Sequence, residues 1–530
     1  MTNNYNLACI VHRQSLTNPG AVALHYQERP LTYRELAERA AQLAGCIRQH
    51  VPPALDAAVR PRVGILASRS SDACVAMLGA CWAGATYVPI GLKMPEDRIL
   101  SILSQCNLSA IIADAEGATL LTKNVLAAGT PLIIAPGAQT LPAPQTGVTL
   151  VDLGSTTVTQ VDAKIPPALM QAQDTAYIIF TSGTTGVPKG VMISAGSAQQ
   201  FVANVTDLLG FKPTDRTLET CELTFDISMH NMFTTWLVGA ALYILPPNQV
   251  MKAVDFVRTH ALTVWNSVPS LVGVLTQIRA LEANVMPTLR LSQFGGEAMT
   301  RGLVDAWRLA APNSTIFNLY GPTEATVYCM EQEVKDPLPM TPGRDYISIG
   351  NPLPGCEAAV MNETGDIVAD GEYGELAIAG GQLAQGYLNL AELTEARFPT
   401  LRGKRWYRTG DRAMRDASGA FHCVGRIDNQ VKVLGHRIEL EEIEAHLRRV
   451  TGVEVVCVAA WPVIDGVAQG LVAFIGTESV NKKQIKASLK NGLPTYMIPN
   501  RIVAQKNMPF NQSGKVDRRA CLGILERESS

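Results

Sequence analysis

Short unbroken apolar runs, such as those near residues 63–67, 110–113 and 176–180, alternate along this chain with stretches whose apolar residues recur every third or fourth place. The first pattern reads as buried strands and the second as helices packed on one face. Leu31-Thr32-Tyr33-Arg34-Glu35-Leu36 opens a helix in which Thr32 can serve as N-cap and Glu35 can close a capping box. A strand is expected at Arg62–Ala67, a helix at Asp72–Ala83, a strand at Ala85–Ile90, a helix at Ile99–Leu103 and a strand at Ala110–Ala113. The segment Gly129–Pro167 is rich in Pro, Gly and Thr and reads as peripheral strands and loops. The run Ala176–Phe180 is a further buried strand, and helix–strand alternation then resumes from Ala195 to Leu319. This is the pattern of parallel sheets covered on both faces, an α/β fold of doubly wound subdomains.

From Ile347 to Gly386 the period shortens and Gly/Asn turns appear, which points to a β-rich subdomain with the character of a distorted barrel. Beyond Asp428 a charged amphipathic helix, two strands and another helix follow, enough for a small α+β domain of ferredoxin-like type. The expected organisation is a large N-terminal domain over 1–427 and a small C-terminal domain over 428–530.

Composition narrows the picture. In 530 residues, 17% are charged and the formal net charge is -2, so no bulk attraction to nucleic acid or anionic membrane is expected. The N-terminus lacks a basic region followed by an apolar stretch. The longest apolar segment, Ala76–Leu92, is interrupted by glycines and a proline, and suits a core better than a membrane span. Eleven cysteines are scattered without metal spacing, as expected of buried thiols in a reducing, cytoplasmic setting.

The candidate chemistry begins where the strand Ala176–Phe180 ends. Thr181, Ser182, Gly183, Thr184, Thr185, Gly186 and, after Val187-Pro188, Lys189 form a loop of hydroxyls, glycines and one cation. Glycines let the backbone N–H groups turn around an anion, and the hydroxyls add uncharged donors. The loop is not a G-x-x-x-x-G-K-[ST] phosphate loop, and by itself it is equally a flexible turn. Asn318-Leu319-Tyr320-Gly321-Pro322-Thr323-Glu324-Ala325-Thr326 follows a strand, where open α/β sheets place ligands. Glu324 there suits Mg²⁺ beside nucleotide phosphates. Asp411, in Tyr407-Arg408-Thr409-Gly410-Asp411, suits a pair of ribose hydroxyls. Gly425-Arg426-Ile427-Asp428-Asn429-Gln430-Val431-Lys432 lies at the expected domain boundary, and Ser513-Gly514-Lys515 lies on a loop near the C-terminus. Each is also an ordinary turn or linker when taken alone.

Together and in this order, TSGTTGVPKG, NLYGPTEATV, YRTGD, GRIDNQVKVLGHRIELEEIE and SGKVDRR resemble the adenylate-forming superfamily, and within it the amino-acid adenylation enzymes of nonribosomal peptide synthesis. The resemblance covers nearly the whole chain. It implies ATP-dependent activation of a carboxylate to an acyl-adenylate with release of pyrophosphate, then transfer to a phosphopantetheine thiol. It implies that Thr181 to Lys189 hold the β- and γ-phosphates, that Gly296, Glu297 and Ala298, with Asn318 and Tyr320, flank the adenine, that Gly321 also binds the cofactor, and that Thr323 meets the α-phosphate. Glu324 would bind Mg²⁺, Asp411 the ribose with Arg426 nearby, and Lys515 would be the catalytic lysine of adenylation. Asp428 would be the hinge about which the small domain turns to present Lys432 for thioester formation. Ser513 departs from the asparagine usual in the family.

The same resemblance makes Leu223-Thr224-Phe225-Asp226-Ile227-Ser228 the substrate segment, with Asp226 facing the α-ammonium. Read alone, an aspartate before a helix is an N-cap. The pocket would be completed by Ile227, His230, Asn266, Gln293, Gly295, Leu319, Val327 and Tyr328, with Lys515. This lining suits a small, cyclic or moderately polar amino acid, and Val264–Ser270 resembles stand-alone enzymes that load alanine or proline onto discrete carriers. No carrier-domain serine motif, H-H-x-x-x-D-G motif or G-x-S-x-G elbow is present. The expected partner is therefore a discrete peptidyl carrier protein, the chain being either a free-standing enzyme or one domain of a larger one. The alternatives are an acyl- or aryl-CoA ligase of the same fold and a nucleotide-binding scaffold without catalysis, against which Glu324 and Lys515 both speak.

Overall fold

The computed structural model describes residues 4–51, 60–142, 147–152, 165–183, 187–464, 467–510 and 516–529. The chain divides into two compact units, one comprising residues 1–92, 103–180 and 190–425, the other 93–102, 181–189 and 426–530.

Two large sheets build the first unit. One has eight strands in the order 386–387, 189–194, 175–181, 86–89, 62–66, 110–113, 132–135 and 149–152, parallel from 175–181 to 149–152. The expected strands are there because each is a four- to seven-residue apolar run buried on both faces; Ala110–Ala113 and Leu132–Ala135 are buried at every position. The other sheet has nine strands, in the order 351–352, 330–333, 315–320, 291–295, 264–267, 216–219, 241–244, 22–26 and 29–32. Its centre is parallel and its margins are antiparallel hairpins.

Helices fill the space against these sheets. Tyr33–His50 starts at Thr32 with the complete capping box: Thr32 accepts from the Glu35 N–H, and the Glu35 carboxylate accepts from the Thr32 N–H. Ser71–Ala83 is apolar all round and enclosed, ending at Gly84 in the left-handed conformation. One continuous core joins residues of both sheets to these helices, including Trp82, Phe201, Phe233 and Trp236, all fully buried. The β-rich segment is a sheet of four strands, 356–361, 373–380, 407–415 and 421–426.

In the second unit a hairpin, Gln430–Val433 with His436–Glu439, heads a small four-stranded sheet. A second sheet of three strands, Val456–Ala460, Leu471–Ile475 and Arg501–Ala504, packs with Leu440–Thr451, Lys482–Leu489 and Arg518–Ser529. The class is α+β as expected; among the described residues this sheet has three strands, not the four of a ferredoxin-like unit.

Two elements that carry candidate chemistry are absent from the sequence pattern. The strand Arg216–Glu219 is short and has charged ends. The helix Ile227–Leu237 is buried at every position from Ile227 to Trp236, polar residues included, so it has no polar face to generate a period.

Candidate active site

The register of the nine-stranded sheet assembles the pocket in the first unit. Asn266 sits opposite Gln293, and Gly295 opposite Leu319, on adjacent parallel strands. Side chains alternate across a strand, so Asn266, Gln293, Gly295 and Leu319 share one face while Trp265, Phe294 and Ile316 point into a separate core on the other. All four lie near the C-terminal ends of their strands. The buried helix Ile227–Leu237 brings His230 to that face, where its Nε2 lies 2.6 Å from Gln293 Oε1. The amide oxygen only accepts, so Nε2 carries the proton. Burial holds the His230 pKa down at about 4, and the ring is neutral.

Tyr328 closes the space. Its ring meets His230 edge-on with centroids 5.5 Å apart and lies so close to Gly295 that a Cβ there would collide with it. The backbone that delivers it is strained: Thr326 and Val327, both β-branched, have φ of 58° and 64°. Such residues cost of order 1–3 kcal/mol each and persist where the surroundings hold them. Here the Thr326 hydroxyl donates to the Gln382 carbonyl at 2.6 Å in a buried site.

Asp226 occupies the N-cap position of the buried helix but makes no capping bond. The residue is half-buried, its Oδ2 is shielded and has no partner among the described residues, and desolvation raises its pKa to about 6, with the Thr323 hydroxyl opposing and the Glu324 charge adding to the rise. An anion with a shielded, open oxygen is prepared for a cation. Glu324 is fully buried next door and accepts a hydrogen bond from the Tyr387 hydroxyl at 2.8 Å. A single enclosed carboxylate fits Mg²⁺, which takes one or two such ligands when phosphates supply the rest.

Elsewhere in the first unit the Tyr320 hydroxyl donates to the buried Asp411 carboxylate. Asn318 donates to the Ser348 carbonyl at 2.8 Å. Glu297, in the turn Gly296–Ala298, accepts from the Ser270 N–H at 2.9 Å and so ties that turn to the start of the helix Pro269–Gln277. Ile227, Leu319 and Val327 are buried, whereas Gly321 and Thr323 are half-buried at the turn.

The remaining candidates belong to the second unit. Thr181 Oγ1 is buried without a partner among the described residues, Ser182 donates to the Arg437 carbonyl at 2.8 Å, and Lys189 Nζ lies 3.8 Å from Glu439. Gly183 allows the backbone to pass close to the Val187 carbonyl, where no side chain would fit. Arg426 and Asp428 form a two-point ion pair at 2.8 and 2.6 Å. Lys432 is half-buried on the strand Gln430–Val433. Thr184, Thr185, Gly186 and Lys515 lie outside the described residues.

Sequence reasoning missed Glu219 and Asn231, both buried behind the pocket, and Tyr177, whose buried hydroxyl has no partner among the described residues. The strand that ends in Glu219 has the sequence Arg-Thr-Leu-Glu, with a single apolar residue, so the sequence held no signal for it.

Residues 11–388 match the family model described as AMP-binding enzyme. The chain is 33% identical to the delta-poly-L-ornithine synthetase of Acinetobacter baumannii over 98% of its own length and 36% of the relative's. It is also 33% identical to tyrocidine synthase 2 of Brevibacillus parabrevis over 95% of its length and 13% of that protein's. The chain thus spans only about a third or less of these relatives. Among solved structures it resembles the adenylation domain AlmE of Vibrio cholerae in complex with glycyl-adenosine-5'-phosphate, with a TM-score of 0.85, 28% identity and 99% of both chains covered. It also resembles holo-PA1221, an NRPS protein containing adenylation and PCP domains, with a TM-score of 0.80, 26% identity and coverage of 98% and 84%. Among the described residues no helix is long and apolar enough to cross a membrane. The chain belongs to the AMP-binding enzyme family, and is an ATP-using, adenylate-forming enzyme of the type that serves nonribosomal peptide synthesis.

Proposed function

We propose that the protein activates a small amino acid as its aminoacyl-adenylate and passes it to the phosphopantetheine thiol of a separate carrier protein. The observation that carries this reading is Asp226: a half-buried residue whose Oδ2 is shielded from solvent and has no partner among the described residues, set beside Thr323 and Glu324. An α-ammonium satisfies it, whereas a simple acyl or aryl acid leaves a buried charge unpaired. The tight fit of Tyr328 against Gly295 supports a short side chain. The glycyl adenylate bound by the AlmE neighbour is in keeping with that size.

In the first step a substrate carboxylate oxygen bonds to the α-phosphorus of ATP as the bond to the pyrophosphate oxygen breaks. The loop from Thr181 to Lys189 would grip the departing phosphates, and the Thr181 hydroxyl, which has no partner among the described residues, fits that task. Asp411 would hold the ribose, Gly296–Ala298, Asn318 and Tyr320 would frame the adenine, and Thr323 would meet the α-phosphate. Mg²⁺ held by Glu324 would neutralise phosphate charge. Lys515 would bridge the two anions that come together, an interaction stronger in the transition state than in the separated reactants. In the second step the carrier's thiol displaces AMP from the acyl carbon, with Lys432 on the face presented after a turn about Asp428.

The test is pyrophosphate exchange across the amino acids together with a few aryl and fatty acids. Exchange with a small amino acid is expected, and replacing Lys515 with Ala should lower it by ~100- to 1000-fold. Exchange with an aryl or fatty acid and no amino acid would instead overturn the amino-acid reading, and free coenzyme A as acceptor would then be tried.

A further inference from the structure

Behind the pocket three side chains are joined in one direction. The Tyr328 hydroxyl donates to Asn266 Oδ1 at 3.4 Å, and Asn266 Nδ2 donates to Asn231 Oδ1 at 2.9 Å. That leaves the Asn231 amide hydrogens for Glu219, whose charge Asn231 favours, although neither Asn231 Nδ2 nor Glu219 Oε2 completes a bond of normal geometry. The other Glu219 oxygen is anchored by the Cys221 N–H at 2.5 Å. Both completed bonds of the relay, from Tyr328 to Asn266 and from Asn266 to Asn231, donate in the direction of Glu219.

We propose that Glu219 is a positioning residue for the substrate pocket: as terminal acceptor of the relay through Asn231 and Asn266 it keeps the Asn266 oxygen toward the substrate, and so selects a short side chain bearing a hydrogen-bond donor. This rests on the amino-acid reading above. The 3.4 Å bond from Tyr328 is long and leaves Asn266 Oδ1 able to take a shorter one from a ligand. The unprotonated Nδ1 of neutral His230 is buried without a partner among the described residues, and it too can only accept. Glu219 does not touch substrate. The cavity on its far side, lined by Arg69, Cys74, Cys221 and Ser228 among others, measures about 10 Å³, room for one water at most. Its influence passes through the amides.

Burial raises the Glu219 carboxyl to about 8, against the Cys221 N–H, the Arg69 charge and Asn231, while Glu222 adds to the rise; the Cys74 and Cys221 thiols also face it. Ionised, it can only accept. Protonated, it would compete with Asn266 for the Asn231 oxygen and loosen the relay.

The experiment is pyrophosphate exchange by the whole protein with serine, 2,3-diaminopropionate and the near-isosteric 2-aminobutyrate, at pH 7 and 8.5. The wild type should favour the donor-bearing pair over 2-aminobutyrate at pH 8.5 by at least about tenfold in kcat/KM, with less discrimination at pH 7. E219Q, isosteric but able to donate or accept, should raise the KM for the favoured amino acid about tenfold with kcat and the KM for ATP little changed, and remove the pH effect. The double variant E219Q/N231D places a pure acceptor one link nearer Asn266 and should restore the wild-type preference. A preference for 2-aminobutyrate, an E219Q preference equal to wild type, or a double variant no better than E219Q each overturns the proposal. Exchange with no amino acid at all overturns this and the amino-acid reading together, whereas exchange indifferent to residue 219 overturns this one alone.

Discussion

Asp226 shows how a single residue can oppose stability and serve binding. Its carboxyl is raised from an ordinary 3.8 to about 6 by burial, so the folded chain holds that proton more tightly than the unfolded one. Stability is therefore lost as pH rises from about 4 to about 6, by about 3 kcal/mol at neutral pH when no ligand is bound. Asp226→Asn removes the penalty. The variant should melt higher than wild type at pH 7 and equally at pH 4, while amino-acid-dependent exchange is lost; an unchanged melting temperature at pH 7 would contradict the assigned burial cost. In the wild type the KM for amino acid should rise as pH falls through about 6, because the ammonium needs the ionised form. At Gly295 the limit is steric. Gly295→Ala drives a methyl into the Tyr328 ring and toward the Leu319 carbonyl 2.8 Å away, and should raise the amino-acid KM at least about tenfold with little change in the KM for ATP, read by exchange kinetics. The identity of Asp226 was legible as a motif residue, but its unused capping position was not: an N-cap and a buried ligand carboxylate look alike until burial and partners are known.

At the scale of elements, legibility followed the presence of a polar side. The helix Tyr33–His50 has one, and its Thr32–Glu35 capping box was visible in four residues and is fully formed. Thr32→Ala should cost about 1 kcal/mol of the first unit's stability, measured by chemical denaturation. The helix Ile227–Leu237 has no polar side, and its polar residues His230, Asn231 and Thr234 point into the interior. Periodicity therefore missed a helix that carries His230 to the candidate pocket. The turn at Thr326–Val327 was equally hidden, since two β-branched residues with positive φ contradict local preference and stand only because Gln382 and the surrounding core hold them.

For the whole molecule the proposed two-step reaction asks for two arrangements of the chain about Asp428. The two-point ion pair of Asp428 with Arg426 restrains that segment, and a turn there must break or carry the pair. Asp428→Pro removes both the carboxylate and backbone freedom. Exchange activity should persist within about threefold of wild type, with thioester transfer to a loaded carrier reduced by ~100-fold or more; equal loss of both steps would remove the hinge assignment. The sequence by itself determined the family and the α/β class, because those depend on local turn chemistry and on apolar runs that any homologous chain must bury. Only the tertiary structure decided which face of the nine-stranded sheet carries Asn266, Gln293 and Gly295, which buried polar atoms keep an open valence, and that Glu219 stands behind them. Those properties arise from strand register and from burial, and both come from residues far apart in the chain.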